Sequence, residues 1–282
     1  MFSLIGQIFH TFLYQPLFNA LILIYQILPG HDLGLAVILL TLVVKAITLP
    51  LEIKAFRFQQ KMAVVQPKLK EIQEKYKNNL EEQTKAVSAL WREEKINPLT
   101  SLVPLFVQIP ILIALYQVFG YGLWNLSPDL IYPFIVMPGT ISPLFLGLVD
   151  LSKPQLLLAI FAGIGQFFQA KTAAAISQPK ATNNNQGRTM DVLQKEMLFL
   201  FPLMTVFILW KLGLPSALAL YWTTSSVLIT WQQKFLNEAP RANARGIFSS
   251  FGGAKSAEAE DKHSSVVIRP GSSAKEDKKP QR

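Results

Sequence analysis

The chain has 282 residues, 50% apolar and only 16% charged, with a net charge of +9 and a mean hydropathy of +0.30. A soluble domain carries about a quarter charged residues; here uncharged stretches alternate with densely charged ones, the pattern of a polytopic membrane protein, not of a large soluble enzyme. Zero cysteines exclude disulfides, thiolate metal sites and a Cys nucleophile, and three scattered histidines (His10, His31, His263) form no cluster, so neither metal nor cofactor is expected.

In chain order, the first apolar stretch is Leu17 to Leu28, preceded by Pro16 and ended by Pro29-Gly30. At that length an interfacial helix lying along the membrane is predicted, because a span needs roughly 17–25 residues. It does not read as a signal peptide, since Met1 to Pro16 has no positive residue and no small-residue cleavage site follows. Five later stretches are predicted to cross: Leu33 to Leu51, Leu99 to Phe119, Gln155 to Ala175, Met197 to Leu212 and Leu214 to Trp231. The last two are short and separated only around Gly213–Pro215, as in a tight helical hairpin.

Charge sets the expected orientation. Of 27 Lys and Arg, 10 lie between Glu52 and Asn97, 4 between Lys171 and Glu196 and 10 after Gln233, whereas Met1 to Asp32 and Gly120 to Ser152 hold none. The positive-inside bias then predicts an all-α polytopic membrane protein with five transmembrane helices, its N-terminus outside and its C-terminus cytoplasmic. The expected organisation is an outside segment over 1–32 carrying the interfacial helix, a five-span core over 33–236, and a disordered basic cytoplasmic tail over 237–282. Within the core, 176–196 reads as a cytoplasmic loop and 52–97 as a cytoplasmic helical hairpin. The hairpin turns at Asn78-Asn79, with Leu69, Ile72, Tyr76 and Leu80 facing Val87 and Leu90 across an apolar seam and Pro67 breaking or kinking its first arm. It is either a solvated linker or a partner-binding arm. The tail offers charge for ribosomal RNA or anionic lipid, or merely solubilises.

The informative anomaly is Lys45, within LAVILLTLVVKAITLPL. A charge at a span centre costs ~2.5–3.5 kcal/mol on insertion scales, which makes it a candidate site by default. Thr41, Lys45 and Thr48 share one helical face, which Glu52 extends toward the cytoplasmic end. Two readings compete: a water-filled cavity, or an ammonium snorkelling ~9 Å to the headgroups. The flanking threonines favour the cavity. A proton relay is disfavoured, because no Asp or Glu lies in the deep part of any span. Gln108 on the second predicted span, Gln166 and Gln169 on the third, and Thr223, Thr224, Ser225, Ser226 and Thr230 on the fifth add polar groups at membrane depth. Hydroxyls alone are weak signals, since each can return to its own i−4 carbonyl; a buried amide needs a partner or water. No Ser/His/Asp grouping, carboxylate pair or phosphate loop is present, and no enzyme is expected.

Four segments then carry a resemblance: LVVKAITLPLEIKAF, MAVVQPKLKEIQEKYK, KINPLTSLVPLFVQIPILIALYQV and MLFLFPLMTVFILWKLGLPSALALYWTTSSVLITWQQ. They are similar to the YidC/Oxa/Alb group of membrane protein insertases, as are YQPLF near the start and DLSKP before the third predicted span. NPL-x4-P-x3-Q-x-P combined with QPK ahead of a charged helix is a specific pattern, and the likeness runs from about Tyr14 to about Phe235. The resemblance implies insertion of membrane proteins without ATP hydrolysis by the insertase itself, through a hydrophilic groove open to cytoplasm and lipid and closed outside. A positive residue on the first span, usually arginine, belongs in that groove. Lys45 stands there, keeping the charge but losing the planar fork. By motif matching, Thr41, Gln108, Leu112 and Trp222 fall at groove positions, Trp222 where a tyrosine is common. With Thr48 and Ser226 from the polar faces they complete the expected set. Implied partners are newly made membrane proteins and the lipid bilayer, with the ribosome and a Sec-type translocon as candidates and no DNA. A monomer in the bacterial plasma membrane is expected. The rival readings are a channel or small-solute transporter using the same cavity, and a scaffold that docks partners on the hairpin.

Overall fold

The computed structural model describes residues 2–97, 100, 103–177 and 185–238. The predicted basic tail beyond Glu238, residues 178–184 of the predicted polar loop and Pro98-Leu99 of the NPL motif lie outside the described residues. The rest is almost entirely helical, with one two-stranded hairpin in the long loop ahead of α6.

The first helix is twice as long as expected. α1 (Phe2–Phe9) passes through a π turn (His10–Tyr14) into α2 (Gln15–Ile27) without interruption. Pro16 fails to start a new element because it occupies the first turn of α2, where a missing N–H is harmless, and the wide turn before it takes up its ring. Leu4–Ile27 is therefore 24 residues, long and apolar enough to cross a membrane, so the shortness that argued for an interfacial helix does not apply. Among the described residues, Leu33–Lys75, Leu105–Gly122 and Leu156–Ile176 also qualify. The last two predicted spans fall largely on α7 (Asn185–Lys211) and α8 (Ser216–Glu238), which are not among those four, joined by a turn in which Gly213 takes a positive φ of 72°.

α3 (Leu33–Lys75) joins what had been read as a span and a separate hairpin arm into one 43-residue helix. Asp32 starts it, its Oδ1 accepting the Leu35 N–H at 2.9 Å. Pro50 and Pro67 both lie inside. Each costs a rung of the hydrogen-bond ladder, yet neither ends the helix, since buried Val44 and Ile53 flank the first and buried Val65 precedes the second. After a turn, the Asn79 side chain caps α4 (Leu80–Glu93) by accepting the Glu82 N–H at 3.2 Å. The seam between the arms sits nearer the spans than expected: Phe58, Val65, Leu90 and Ile96 are its buried centre, with Met62, Leu69, Ile72 and Trp91 around them. Leu80 is 76% exposed, having been placed too near the turn for an opposing side chain to reach it. The predicted loop over 176–196 is helical from Asn185 onward, where Leu, Gln, Lys, Glu and Met favour helix.

α5 (Val103–Gln117) runs into a second π turn (Val118–Gly122), after which the long loop returns to α6 (Leu156–Ser177). β1 (Leu144–Phe145) pairs antiparallel with β2 (Val149–Asp150), Leu144 opposite Asp150. The core is one apolar cluster drawn from α2, α3, α5, α6 and α8, centred on residues such as Phe18, Val37, Leu115, Ala162 and Tyr221. Small residues let backbones approach: a Cβ on Gly163 of α6 would sit 2.6 Å from the Val206 Cγ2 of α7.

The long loop is pinned by side chains from α2 and by Asp32 at the start of α3. The Asn19 side chain, 1% exposed, donates to the Leu130 carbonyl at 2.7 Å and accepts the Tyr132 N–H at 2.8 Å. Tyr25 Oη accepts the Ser142 N–H at 3.0 Å, and Asp32 Oδ2 accepts the Leu146 N–H. At its far end, Ala217 N–H donates to the Leu151 carbonyl at 3.1 Å and the Ser216 hydroxyl to that of Lys153. Burial alone would raise the Asp150 carboxyl, but the Ser152 hydroxyl and N–H and the Lys153 ammonium outweigh it and hold it below its ordinary value. This turn therefore stays ionised and ordered above the usual carboxylate range, and loosens only as pH falls through that lowered value.

Asn19→Ala would orphan both loop groups, and we expect a stability loss of about 1–3 kcal/mol. Limited proteolysis should show faster cutting between 123 and 142, whereas Asn125→Ala, on an exposed bond within the loop itself, should leave the cutting rate unchanged.

Candidate functional site

The site grows from the polar face of α3. Thr41, Lys45 and Thr48 share that face, but the structure separates them by depth. Thr41 is fully buried in the core and donates to the Val37 carbonyl at 2.7 Å. It lines no cavity. Lys45 is 8% exposed, and its Nζ lies 2.8 Å from the Glu52 Oε1, two turns along the same helix. The Thr48 hydroxyl is 3.1 Å from the same oxygen and 3.1 Å from the Val44 carbonyl.

This ion pair borders a cavity of about 430 Å³ between α3, α5, α6 and α8. Of the residues singled out from sequence, Lys45, Thr48, Gln108, Leu112, Trp222 and Ser226 line it, as do Gln166 and Gln169. Across it, Gln108 Nε2 donates to Tyr221 Oη at 3.0 Å, tying α5 to α8. The Thr205 hydroxyl donates to Gln166 Oε1, tying α7 to α6. The threonines of α8 are less informative: Thr223, Thr224 and Thr230 return their hydroxyls to the carbonyls of Ala219, Leu220 and Ser226, four residues back. Ser226 differs. It is 1% exposed and its Oγ has no hydrogen-bond partner.

Several lining residues escaped sequence reasoning. Glu52 was placed on the polar face without being recognised as the partner of Lys45, although a seven-residue spacing brings two long side chains together. Tyr221, Gln59, Gln232 and Gln233 carry no distinguishing pattern in the sequence. They become a set only when α3 and α8 are brought together.

The chemistry that this wall offers is solvation of polar groups. Among the described residues no three His, Cys, Asp or Glu side chains are grouped to hold a metal. Among the described residues of the wall the charged ones are Lys45 and Glu52, and the glutamines Gln59, Gln108, Gln166, Gln169, Gln232 and Gln233 supply both donors and acceptors. Such a surface replaces part of the hydration of a polar segment without the fixed geometry that selects one small ligand.

Comparison with known proteins follows the same line. The family model of the 60Kd inner membrane protein matches residues 23–243. The chain is 34% identical over 232 residues to the membrane protein insertase YidC of Buchnera aphidicola subsp. Baizongia pistaciae, covering 81% of this chain and 37% of that protein. It is 30% identical over 227 residues to that of Citrifermentans bemidjiense, 80% of this chain and 36% of the other. The protein of the same name from Clostridium tetani is 33% identical over 202 residues, 71% of this chain and 79% of its own. The chain thus spans under two fifths of the length of the first two relatives and most of the third.

The ion pair predicts a non-additive pair of variants. Glu52→Leu should destabilise the protein by about 3 kcal/mol by leaving a buried ammonium uncompensated. Adding Lys45→Leu should recover most of that loss, read as the unfolding midpoint in detergent micelles.

Proposed function

The chain belongs to the 60Kd inner membrane protein family and is a multi-pass inner-membrane protein, and on that premise we propose that it acts as a membrane protein insertase. The observation that carries this reading is the polar cavity around Lys45 in a bundle otherwise built of apolar helices. A client's hydrophilic end meets a desolvation cost of several kcal/mol in hydrocarbon. Amides, hydroxyls and a charge pair at membrane depth lower that cost part of the way across. The client's apolar helix then leaves sideways into lipid.

In this reading the core from α3 onward spans five times, starting outside and ending in the cytoplasm as the Lys and Arg distribution directs, and Leu4–Ile27, although long enough to cross, lies along the outer face. The cavity is then a groove open to cytoplasm and lipid. The long loop, fastened to α2 by Asn19 and Tyr25, closes the outer end. Lys45, Thr48, Gln108, Leu112, Trp222 and Ser226 contact the client. Thr41, buried behind them, supports the helix from within the core. The exposed α3–α4 hairpin receives clients or partners, and the monomer suffices. The work is transfer, with no covalent step.

The test is insertion into liposomes of purified lipid. A single-span client with an acidic N-terminal tail is added, and protection of its tail from protease is compared between wild type and Lys45→Leu/Glu52→Leu. We expect protection with wild type and a roughly tenfold lower yield with the apolar groove, the equivalent of about 1.4 kcal/mol. Protection no greater than with empty liposomes, across several clients, would overturn the insertase reading.

A further inference from the structure

Resting on that reading, we propose that Glu52 is a specificity-determining residue: it is an internal counter-ion that a client's carboxylate must displace and that a client's cation can engage. Three observations carry this. First, among the described residues lining the cavity the charged ones are Lys45 and Glu52, one of each sign, so their formal charges cancel. Second, Glu52 Oε1 is engaged by both the Lys45 ammonium, at 2.8 Å, and the Thr48 hydroxyl, at 3.1 Å, while Glu52 Oε2 is buried without a hydrogen-bond partner. Third, that oxygen has company: Ser226 Oγ and Gln233 Oε1, both on α8 and both lining the same cavity, are also buried without partners.

The chemistry of those oxygens defines what they receive. A carboxylate oxygen and an amide oxygen only accept, and a hydroxyl accepts as readily as it donates. An ammonium, a guanidinium or the N–H groups of an extended peptide would satisfy them. An acidic tail has a different task. It must take Lys45 from Glu52, and since both partners belong to one helix the exchange needs only side-chain rotation, with no backbone movement. A lone groove cation would favour acidic tails outright. A zwitterionic pair flattens that preference, accepting tails of either sign at the cost of weaker attraction for each.

The experiment uses the full chain in liposomes and three clients that differ only in tail: acidic, basic and neutral. Yields of protected acidic and basic tails are each normalised to the neutral client, and their ratio is compared among wild type, Glu52→Gln and Lys45→Gln. We expect a wild-type ratio near one, an increase of about fivefold in Glu52→Gln, and a decrease of similar size in Lys45→Gln, as charge pairs at an interface act on partner choice. A merely structural role would lower all yields together and leave the ratio in place. An unchanged ratio in both variants, with wild type inserting all three clients, overturns the role of Glu52 alone. No insertion by wild type of any client overturns the insertase reading and this inference together. Should Glu52→Gln fail to fold, the ratio in Lys45→Gln decides.

Discussion

An ammonium inside an apolar helix is a constraint that the neighbouring helices have to answer. Lys45 lies within the most apolar of the four candidate spans among the described residues, and its charge is tolerated because Glu52 reaches back along the same helix to meet it. That pair still needs polar surroundings, since two charges removed from water regain their solvation only through good geometry and further hydrogen bonds. α5 supplies Gln108, α6 supplies Gln166 and Gln169, and α8 supplies Tyr221, Ser225, Ser226, Gln232 and Gln233. The cavity follows from the charge: four helices stand apart where they would otherwise close.

The opposite end of the bundle is organised by a different need. A loop of some thirty residues holds many backbone groups, and those that are buried must be paired. The polar side chains of α2 meet that need, Asn19 most completely, because it is buried and serves a carbonyl and an N–H of the loop at once. Phe145 of the short β-hairpin then lies against Gly34, whose missing side chain leaves room for the ring at the first turn of α3. The helix that carries Lys45 is thereby held at its start by the loop and along its length by its neighbours.

Much of this was legible in the sequence, and the gaps have physical causes. Hydropathy marked the helices of the core, and helical periodicity placed Thr41, Lys45 and Thr48 on one face. Periodicity gives an angle around a helix and says nothing of where along it the water ends, which is why Thr41 was grouped with a cavity that it does not touch. Proline was read as punctuation at Pro16 and Pro67, and neither ended a helix: Pro16 fell in a first turn, while Pro67 follows buried Val65. Glutamines such as Gln232 and Gln233 were invisible as site residues because an amide near the end of a helix looks like any solvated one. Only the approach of α3 to α8 gives them a common purpose.

The continuity of α3 has a mechanical consequence. With no joint between Leu33 and Lys75, the arm packed against α4 and the stretch bearing Lys45 form a single shaft. Lys75 and Lys45 are separated by about 45 Å of helix at 1.5 Å per residue. Whatever grips the hairpin holds a handle whose other end is the charge pair. A twist or pull applied outside the bundle reaches the cavity as a displacement of the same rod, softened only at the two prolines.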